Sequence, residues 1–217
     1  MSHDHSGHGT EMFSQEFWDE RYRSTERVWS GRPNLRLVEQ VTDLTPGAAL
    51  DIGSGEGADA IWLAARGWRV TAFDVSTVAL QRAARHAEQE GNEVAERISW
   101  QRADFRSWTS EGTFDLVSAQ FMHLPRPDIE ALHRQLAAAV RPGGSLLIVG
   151  HHPLDMQSSV PRPDRPELFY TAEEVAASLD QDDWDILVAD ALARVTVDPD
   201  GQPATIHDAV LHARRLR

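Results

Sequence analysis

The sequence predicts an α/β fold, with a mostly parallel sheet, helices on both of its faces and an antiparallel hairpin at its end. Between Thr45 and Gly150, short apolar runs alternate regularly with longer segments of helical periodicity. Strand–helix units of this length favour a parallel sheet that is covered on both faces. After Gly150 the pattern changes, and two extended runs joined by Asp198-Pro199-Asp200-Gly201 indicate a hairpin.

Composition narrows the class of protein. A chain of 217 residues is long enough for one α/β domain and short for two. It has no cysteine, no lysine, a net charge of −13 and no apolar run of membrane-spanning length. These features exclude thiolate and lysine Schiff-base chemistry, and they disfavour partners such as nucleic acid or a membrane. We therefore expect a cytoplasmic protein that binds a small molecule and holds no metal.

The leading segment is predicted to contain a tail, two helices and a lid. Residues 1–10 are polar and include three histidines, which indicates a disordered tail in preference to a metal site. Aromatic residues at helical spacing predict a helix from Met12 to Arg23, and a second helix runs from Asn34 to Val41. Between these helices, Trp29 and Arg32 lie in a loop that either covers a ligand or packs the helices on the sheet.

The central strands and helices follow in regular order. The predicted strands are Ala48–Ile52, Arg69–Phe73, Ile98–Gln101, Asp115–Ala119 and Ser145–Val149, with a turn at Arg141-Pro142-Gly143-Gly144. The predicted helices are Gly57–Arg66, Thr77–Glu90 and Pro127–Val140. A loop after Gly150 leads to a helix with a capping box of Thr171 and Glu174, and then to a hairpin of Trp184–Val197 and Thr205–Leu216.

The stretch from Ala48 to Ala58 combines a buried strand, a glycine turn and a helix N-terminus. Gly53, Gly55 and Gly57 let the backbone bend, and they let a ligand approach with no Cβ in the way. The unpaired N–H groups of the following helix point to the same place. This arrangement is typical of a nucleotide-type site at the carboxyl end of a first strand.

The glycine turn alone does not decide between two cofactors, a dinucleotide and S-adenosylmethionine. It satisfies G-x-G-x-G and also the dinucleotide pattern G-x-G-x-x-G/A. Asp51 and Glu56 would repel a pyrophosphate, and a carboxylate there suits a cationic ligand better. S-adenosylmethionine, with its sulfonium and ammonium groups and no phosphate, is such a ligand.

Side chains at the ends of the next two strands suit an adenosine. Asp74 ends the second strand, where a carboxylate can accept both ribose hydroxyls. Asp104 follows the third strand and can accept from the adenine amine, while Val75 and Phe105 contact the two faces of the ring. The alternative for Asp104 is an exposed loop carboxylate.

Five motifs resemble, in order and spacing, those of class I S-adenosylmethionine-dependent methyltransferases: LDIGSGEGA, FDVS, RADF, FDLVSAQFMHLP and VRPGGSLLIVG. The resemblance covers Ala48 to Gly150 and implies a Rossmann-like, seven-stranded sheet. The leading FWDERYRSTERVW is similar to the small-molecule subgroup that includes thiopurine and tellurite-resistance methyltransferases. The resemblance implies transfer of a methyl group from S-adenosyl-L-methionine, with S-adenosyl-L-homocysteine as product, to an oxygen, nitrogen, sulfur or chalcogen atom of a small molecule.

The resemblance also implies roles for individual residues. Asp51, Gly53 and Gly55 would hold the methionine end of the cofactor, and Gln120 would face both that end and the substrate. Trp29 and Arg32 would belong to a loop that closes over the cofactor.

Histidines and arginines at the carboxyl edge of the sheet are the candidates for work on the substrate. A general base is needed only where the nucleophile carries a proton, and His123 is the first candidate, since histidine titrates near neutrality. His151 and His152 are further candidates, and Arg126 with Arg162 suits an anionic substrate.

The predicted organisation is one domain over residues 11–217, preceded by the tail. Within it, residues 11–44 form the helices and lid, residues 45–150 the cofactor-binding core, and residues 151–217 the loop, helix and hairpin. Two other functions stay open: a nicotinamide-dependent oxidoreductase that uses the G-x-G-x-x-A pattern, and a module that binds S-adenosylmethionine without catalysis. The sequence leaves the oligomeric state open.

Overall fold

A computed structural model of the protein describes residues 13–105, 108–109 and 113–217. Within these residues, seven strands form one sheet in the order β3-β2-β1-β4-β5-β7-β6. The strands are β1 (Ala48–Ile52), β2 (Arg69–Asp74), β3 (Ile98–Arg102), β4 (Phe114–Gln120), β5 (Val140–His151), β6 (Trp184–Val197) and β7 (Pro203–Arg215). Neighbouring strands from β3 to β5 are parallel, and β7 is antiparallel to both β5 and β6. The predicted fold class, including the terminal hairpin, is confirmed.

The described helices connect these strands and cover the sheet. They are α1 (Gln15–Arg23), α2 (Leu35–Val41), α3 (Ala58–Ala65), α4 (Thr77–Glu90), α5 (Asn92–Ala95), α6 (Arg126–Ala139) and α7 (Ala172–Ala176). Asn34 caps α2 by accepting the Arg36 N–H at 2.8 Å, as predicted. The predicted capping box of Thr171 and Glu174 begins α7. The short α5 was not predicted. The predicted tail at residues 1–10 lies outside the described residues.

The start of β5 differs from the prediction. Val140 pairs with Phe114, and the next paired residue, Ser145, is opposite Leu116, so residues 141–144 bulge out against a single residue of β4. Gly143, within this bulge, has a φ of +80°. The predicted turn residues do leave the ladder, but they do so as a bulge inside a longer strand.

The core has two parts, one on each face of the sheet, because side chains alternate between the faces along each strand. Leu50 and Ile148 belong to a cluster that includes α6 and α7, whereas Ala49 and Leu147 belong to a cluster that includes α2 and α3. Successive side chains of a strand point to opposite faces, so the central strands are apolar on both. None of the helices in the described part of the chain has the length and apolar composition that crossing a bilayer requires.

The topology brings six strand ends to one edge of the sheet. The parallel strands β1 to β5 end there, and β6 runs in the same direction as β5 because each is antiparallel to β7. The last residue of β5, His151, pairs with Asp208 of β7, which pairs with Leu192 of β6. Residues 193–197 and 203–207 therefore extend beyond the end of β5, over this edge.

Candidate functional site

The glycine turn after β1 is held against the end of β2. Gly53 and Ser54 donate their N–H groups to the Phe73 carbonyl at 2.8 and 2.9 Å. Gly53 and Gly55 have φ values of +74° and +53°, a region that favours glycine. A Cβ on Gly53 would also overlap the sulfur of Met122. The turn therefore needs glycine both for its conformation and for the close approach of a neighbouring side chain.

Besides Glu56, three carboxyl groups lie around this turn, of which Asp51 is buried and Asp59 and Asp74 are half-buried. Asp74 accepts the Gly55 N–H and the Ser76 N–H, each at 2.8 Å, so it orients the turn. Asp59 accepts the Asn34 N–H at 2.6 Å. Asp51 is buried below the turn, and its Oδ2 has no hydrogen-bond partner among the described residues.

Burial of these acids makes the turn a site for a cation. Burial raises the pKa of Asp59 to about 6, and it also raises the pKa of Asp74. Burial, followed by the charges of Asp59 and Asp74, raises the pKa of Asp51 well above its usual range. Ionising these carboxyl groups is costly in this setting. A bound positive charge favours their ionised form, whereas a bound negative charge disfavours it.

A latch connects the glycine turn to the predicted lid loop. Glu56 Oε2 accepts the backbone N–H groups of Val28 and Trp29, each at 3.1 Å, and Oε1 accepts from Arg82 at 3.0 Å. The Trp29 indole N–H donates to the Tyr22 hydroxyl at 2.9 Å. The Glu56 charge is thus already balanced, so the sequence argument that Glu56 repels a pyrophosphate does not hold. The three acids around the turn are the groups that disfavour phosphate.

The ends of β4 and β5 form the opposite wall. Gln120 donates to the Ser118 hydroxyl at 2.7 Å, and its Oε1 is buried without a partner in the described part of the chain. Phe121 has a φ of +54°, unusual for a residue with a side chain. Strain of this kind is found most often at functional sites. The rings of His123 and His151 stack with centroids 4.5 Å apart.

These elements enclose a cavity of about 1150 Å³ at the carboxyl edge of the sheet. It is large enough for a nucleoside-sized ligand together with a small second molecule. Ten of the residues that the sequence singled out line it: Trp29, Arg32, Gly53, Gly55, Asp74, Val75, Phe105, Gln120, His123 and His151.

Five other predicted residues do not line the cavity, and one of them, Arg162, donates to Asp155 at 2.9 Å. Asp51 lies beneath the glycine turn, and Asp104 sits in a turn where its carbonyl accepts the Trp108 N–H at 3.2 Å. His152 accepts the Leu154 N–H at 3.2 Å, which caps a short 3₁₀ turn. Arg126 pairs with Glu174 at 3.0 Å, away from the cavity. Neither His152 nor Arg126 lines the cavity, and each has a partner elsewhere, so the structure gives no support to their contact with a substrate.

Sequence reasoning missed several residues of the cavity. Asp59 lies in the first turn of α3, where an acid has an ordinary explanation as a partner of the helix N-terminus. Tyr22 was assigned only to the apolar face of a helix. Arg194 lies in the terminal hairpin, and it reaches the cavity only because β6 extends beyond β5. No local pattern marks such a residue.

Comparison with families of known proteins gives one match. Residues 49–144 match the family model described as a methyltransferase domain. The resemblance to methyltransferases that the motifs predict is thereby confirmed over this segment.

Two curated relatives match part of the chain. Release factor glutamine methyltransferase of Chlorobaculum tepidum is 33% identical over an alignment of 136 residues, and the match covers 55% of this chain and 46% of that protein. Ubiquinone biosynthesis O-methyltransferase of Coxiella burnetii is 28% identical over 134 residues, which are 61% of this chain and 56% of that protein. The chain spans about half the length of the curated relatives it matches.

Two solved structures are similar over most of the chain. A structure from work on the conversion of a disulfide bond into a thioacetal group during echinomycin biosynthesis has a TM-score of 0.72 and 26% identity, covering 93% of this chain and 91% of the other. TehB from Haemophilus influenzae has a TM-score of 0.66 and 21% identity, covering 92% of this chain and 66% of the other. The second likeness bears on the fold alone.

Proposed function

We propose, on the premise that residues 49–144 form a methyltransferase domain, that this protein transfers a methyl group from S-adenosylmethionine to a nucleophilic atom of a small molecule. The observation that carries the proposal is the group of buried and half-buried carboxyl groups around the glycine turn. Such a site suits a ligand that has cationic groups and no phosphate. The enclosed part of the cavity next to it suits a small acceptor.

The residues present fit this cofactor. Asp59 and the Gln120 Oε1 atom offer acceptors to an ammonium group, and the Oδ2 atom of the buried Asp51 has no partner among the described residues. Both oxygens of Asp74 accept backbone N–H groups, and a carboxylate has further lone pairs that can accept from ribose hydroxyls. Val75 and Phe105 line the same region and would contact the adenine, while Trp29 and Arg32 would cover the ligand.

The chain's own contribution to the reaction is position and exclusion of water. S-adenosylmethionine, when bound, supplies a methyl group that its sulfonium already activates. The lid loop, latched through Glu56, closes one side of the cavity, and the hairpin overhang closes another. Orientation of two reactants in a water-excluded site is a large part of the acceleration such a reaction needs.

The alternatives have less support. No comparison favours a nicotinamide-dependent oxidoreductase, and a pyrophosphate would lie against the three acids around the turn. Small-molecule transfer is supported by the name of the Coxiella relative, an O-methyltransferase of ubiquinone biosynthesis. A cytoplasmic location, a single domain over residues 11–217 and the absence of a nucleic-acid partner belong to the same proposal, and the net charge of −13 supports the last of these.

Calorimetric titration of the full chain with S-adenosylhomocysteine and with NAD tests the proposal. We expect binding of S-adenosylhomocysteine only, and a loss of affinity of at least about tenfold in Asp74→Ala, since charge-assisted hydrogen bonds are removed. Asp43→Ala, at an exposed position after α2, is the control and should bind normally. Binding of NAD alone would refute the proposal.

Turnover separates an enzyme from a binding module. A panel of phenols, thiols, amines and a glutamine-containing peptide is assayed for formation of S-adenosylhomocysteine. The peptide is included because the Chlorobaculum relative is named for a release factor glutamine. Tight cofactor binding with no methyl loss to any acceptor would indicate a binding module.

A further inference from the structure

The two ends of the cavity differ in charge. Asp59 and Asp74 line the end at the glycine turn. Arg194 of β6 also lines the cavity, and its charge acts on His151, whose ring stacks on that of His123. The described carboxylates that line the cavity, those of Glu56, Asp59 and Asp74, all belong to the glycine turn and the elements next to it, so a ligand beside Arg194 meets a guanidinium group and two imidazoles.

The carboxylates that pair with Arg194 and with the neighbouring Arg36 do not line the cavity. Asp208 Oδ2 accepts from Arg194 at 2.8 Å and from Arg36 at 3.0 Å, and Arg36 also pairs with Glu39 at 2.8 Å. Of these four groups only Arg194 lines the cavity. The charges of the network balance overall, but the cavity meets its cationic side.

A second arginine acts on the same end from the loop after β5. Arg162 donates to Asp155 at 2.9 Å, and the same carboxylate contacts the His207 ring at 3.1 Å. The Arg162 Nε is buried and has no partner in the part of the chain that the structure describes. Its positive charge lowers the pKa of both His123 and His151.

The two histidines are placed to donate hydrogen bonds and not to accept protons. Their rings stack at 18° with centroids 4.5 Å apart, and the Phe121 ring lies 4.8 Å from His151. Burial and Arg162 lower the pKa of His123 to about 4. Burial, followed by the neighbouring His123 ring and then by Arg162 and Arg194, lowers the pKa of His151 to about 2. Both rings are therefore neutral at neutral pH, and each carries one N–H donor.

The surroundings of this end are apolar. Phe121, Leu124 and Leu168 line the cavity next to the histidines. The buried Nε2 of His123 and Nδ1 of His151 have no hydrogen-bond partner among the described residues. An occupant thus needs an apolar body and one group that accepts hydrogen bonds.

We propose that this end of the cavity binds the methyl acceptor as an anion: an apolar, ring-containing molecule with an already ionised hydroxyl or thiol, held by Arg194 and the neutral imidazoles. This inference rests on the proposed function and specifies its substrate class. It replaces the prediction that His123 is a general base. A base this weak takes a proton from a hydroxyl poorly, whereas an anion has no proton to lose.

The reaction of such an acceptor balances without a proton carrier. A lone pair of the ionised oxygen or sulfur forms the bond to the methyl carbon, and the bond from that carbon to the sulfonium sulfur breaks, with its electron pair kept by sulfur. One negative and one positive charge disappear together. A water-excluded cavity favours a step that removes charge, because charges are costly there.

The ionisation of 4-nitrophenol, which is visible by its absorbance, tests the proposal without turnover. The full chain is saturated with S-adenosylhomocysteine, and the bound phenol is titrated with acid. We expect its midpoint to fall by at least about one pH unit, a tenfold preference for the anion. The neutral analogue 4-nitroanisole should bind at least about tenfold more weakly than the phenolate.

Variants assign the effect to the arginine. Arg194→Gln should remove most of the shift, and Arg194→Lys should keep most of it, which separates charge from a loss of folding. Arg126→Gln is the matched control, since this arginine pairs with Glu174 away from the cavity, and it should leave the shift unchanged. An unshifted midpoint, or equal binding of 4-nitroanisole, overturns the anion proposal. The proposed function is untouched by that result as long as S-adenosylhomocysteine binds. Failure of S-adenosylhomocysteine to bind would overturn the proposed function itself.

Discussion

Replacement of Glu56 by glutamine tests whether the glycine turn controls the lid. Its carboxylate accepts two backbone N–H groups of the lid loop and pairs with Arg82, which also donates to the Thr25 carbonyl at 2.7 Å. Glutamine keeps the shape and removes the charge. The side chain is 5% exposed, so water does not compensate for the lost contacts.

The magnitude follows from the number and type of these contacts. Hydrogen bonds to a charged group contribute about 1.5–3 kcal/mol each, against about 0.5–1.5 for neutral pairs. Loss of the charge from three contacts weakens the attachment of the loop by about 2–3 kcal/mol. If the loop then opens in most molecules, the apparent affinity is the affinity of the closed form multiplied by the fraction of molecules that stay closed. We therefore expect S-adenosylhomocysteine to bind about 10- to 100-fold more weakly to Glu56→Gln.

Calorimetric titration of both proteins measures this difference. Glu174→Gln is the matched control, because Glu174 also accepts a backbone N–H, at 2.9 Å from Thr171, and pairs with an arginine. It lies away from the cavity, so its replacement should leave the affinity unchanged. A dissociation constant for Glu56→Gln within about twofold of the unmodified protein, with a normal thermal transition, would refute the latch.

Two further predictions concern stability. Burial raises the pKa of Asp59 to about 6, so the stability that its protonated form contributes is present below about pH 4 and is lost as the pH rises through about 6. Asp59→Asn should therefore match the unmodified protein in urea unfolding at pH 3.5 and exceed it by about 1–3 kcal/mol at pH 8; equal stability at pH 8 would contradict the burial argument. Gly57 has a φ of +88°, and a Cβ there would lie 2.6 Å from the Trp100 ring, whereas Gly143, with a φ of +80°, has open space around it. Gly57→Ala should cost about 2 kcal/mol more than Gly143→Ala, and similar losses would show that strain and not packing dominates.

The residues that the sequence places at the glycine-turn end of the cavity depend on local signals. The glycine turn, Asp74 and Gln120 each follow a strand directly, and the carboxyl ends of parallel strands meet at one edge. A strand boundary predicted to within a residue or two is then enough to place a side chain at the site. Asp51, which precedes the turn and is buried, and Asp104 do not line the cavity, and their contact with the cofactor stays a prediction.

Local signals fail where a side chain is taken up by a partner far along the chain. Glu56 lies in the middle of the most recognisable motif, yet its carboxylate faces residues 28 positions earlier and 26 positions later. Arg126 and His152 lie near the correct edge, but a helix partner and a local cap occupy them. Proximity in sequence to a strand end does not show which polar group is free for a ligand, because that depends on the tertiary hydrogen-bond partners.

The acceptor half depends on a feature that no motif marks, the reversal of strand direction at β7. Insertion of β7 antiparallel between β5 and β6 sends β6 back in the direction of β5, so its last residues reach the ligand edge. Because β5 ends at the pair His151–Asp208 while the hairpin continues to Val197 and Pro203, the overhang adds a cationic wall beyond the end of the parallel sheet. Val195, which lines the cavity, is 73% exposed, so the overhang covers this side of the cavity only in part. The parallel strands thus supply acids for a cation, and the hairpin supplies the cation for an anion. A change of acceptor could therefore arise by substitution in residues 193–197 with no change in the glycine turn.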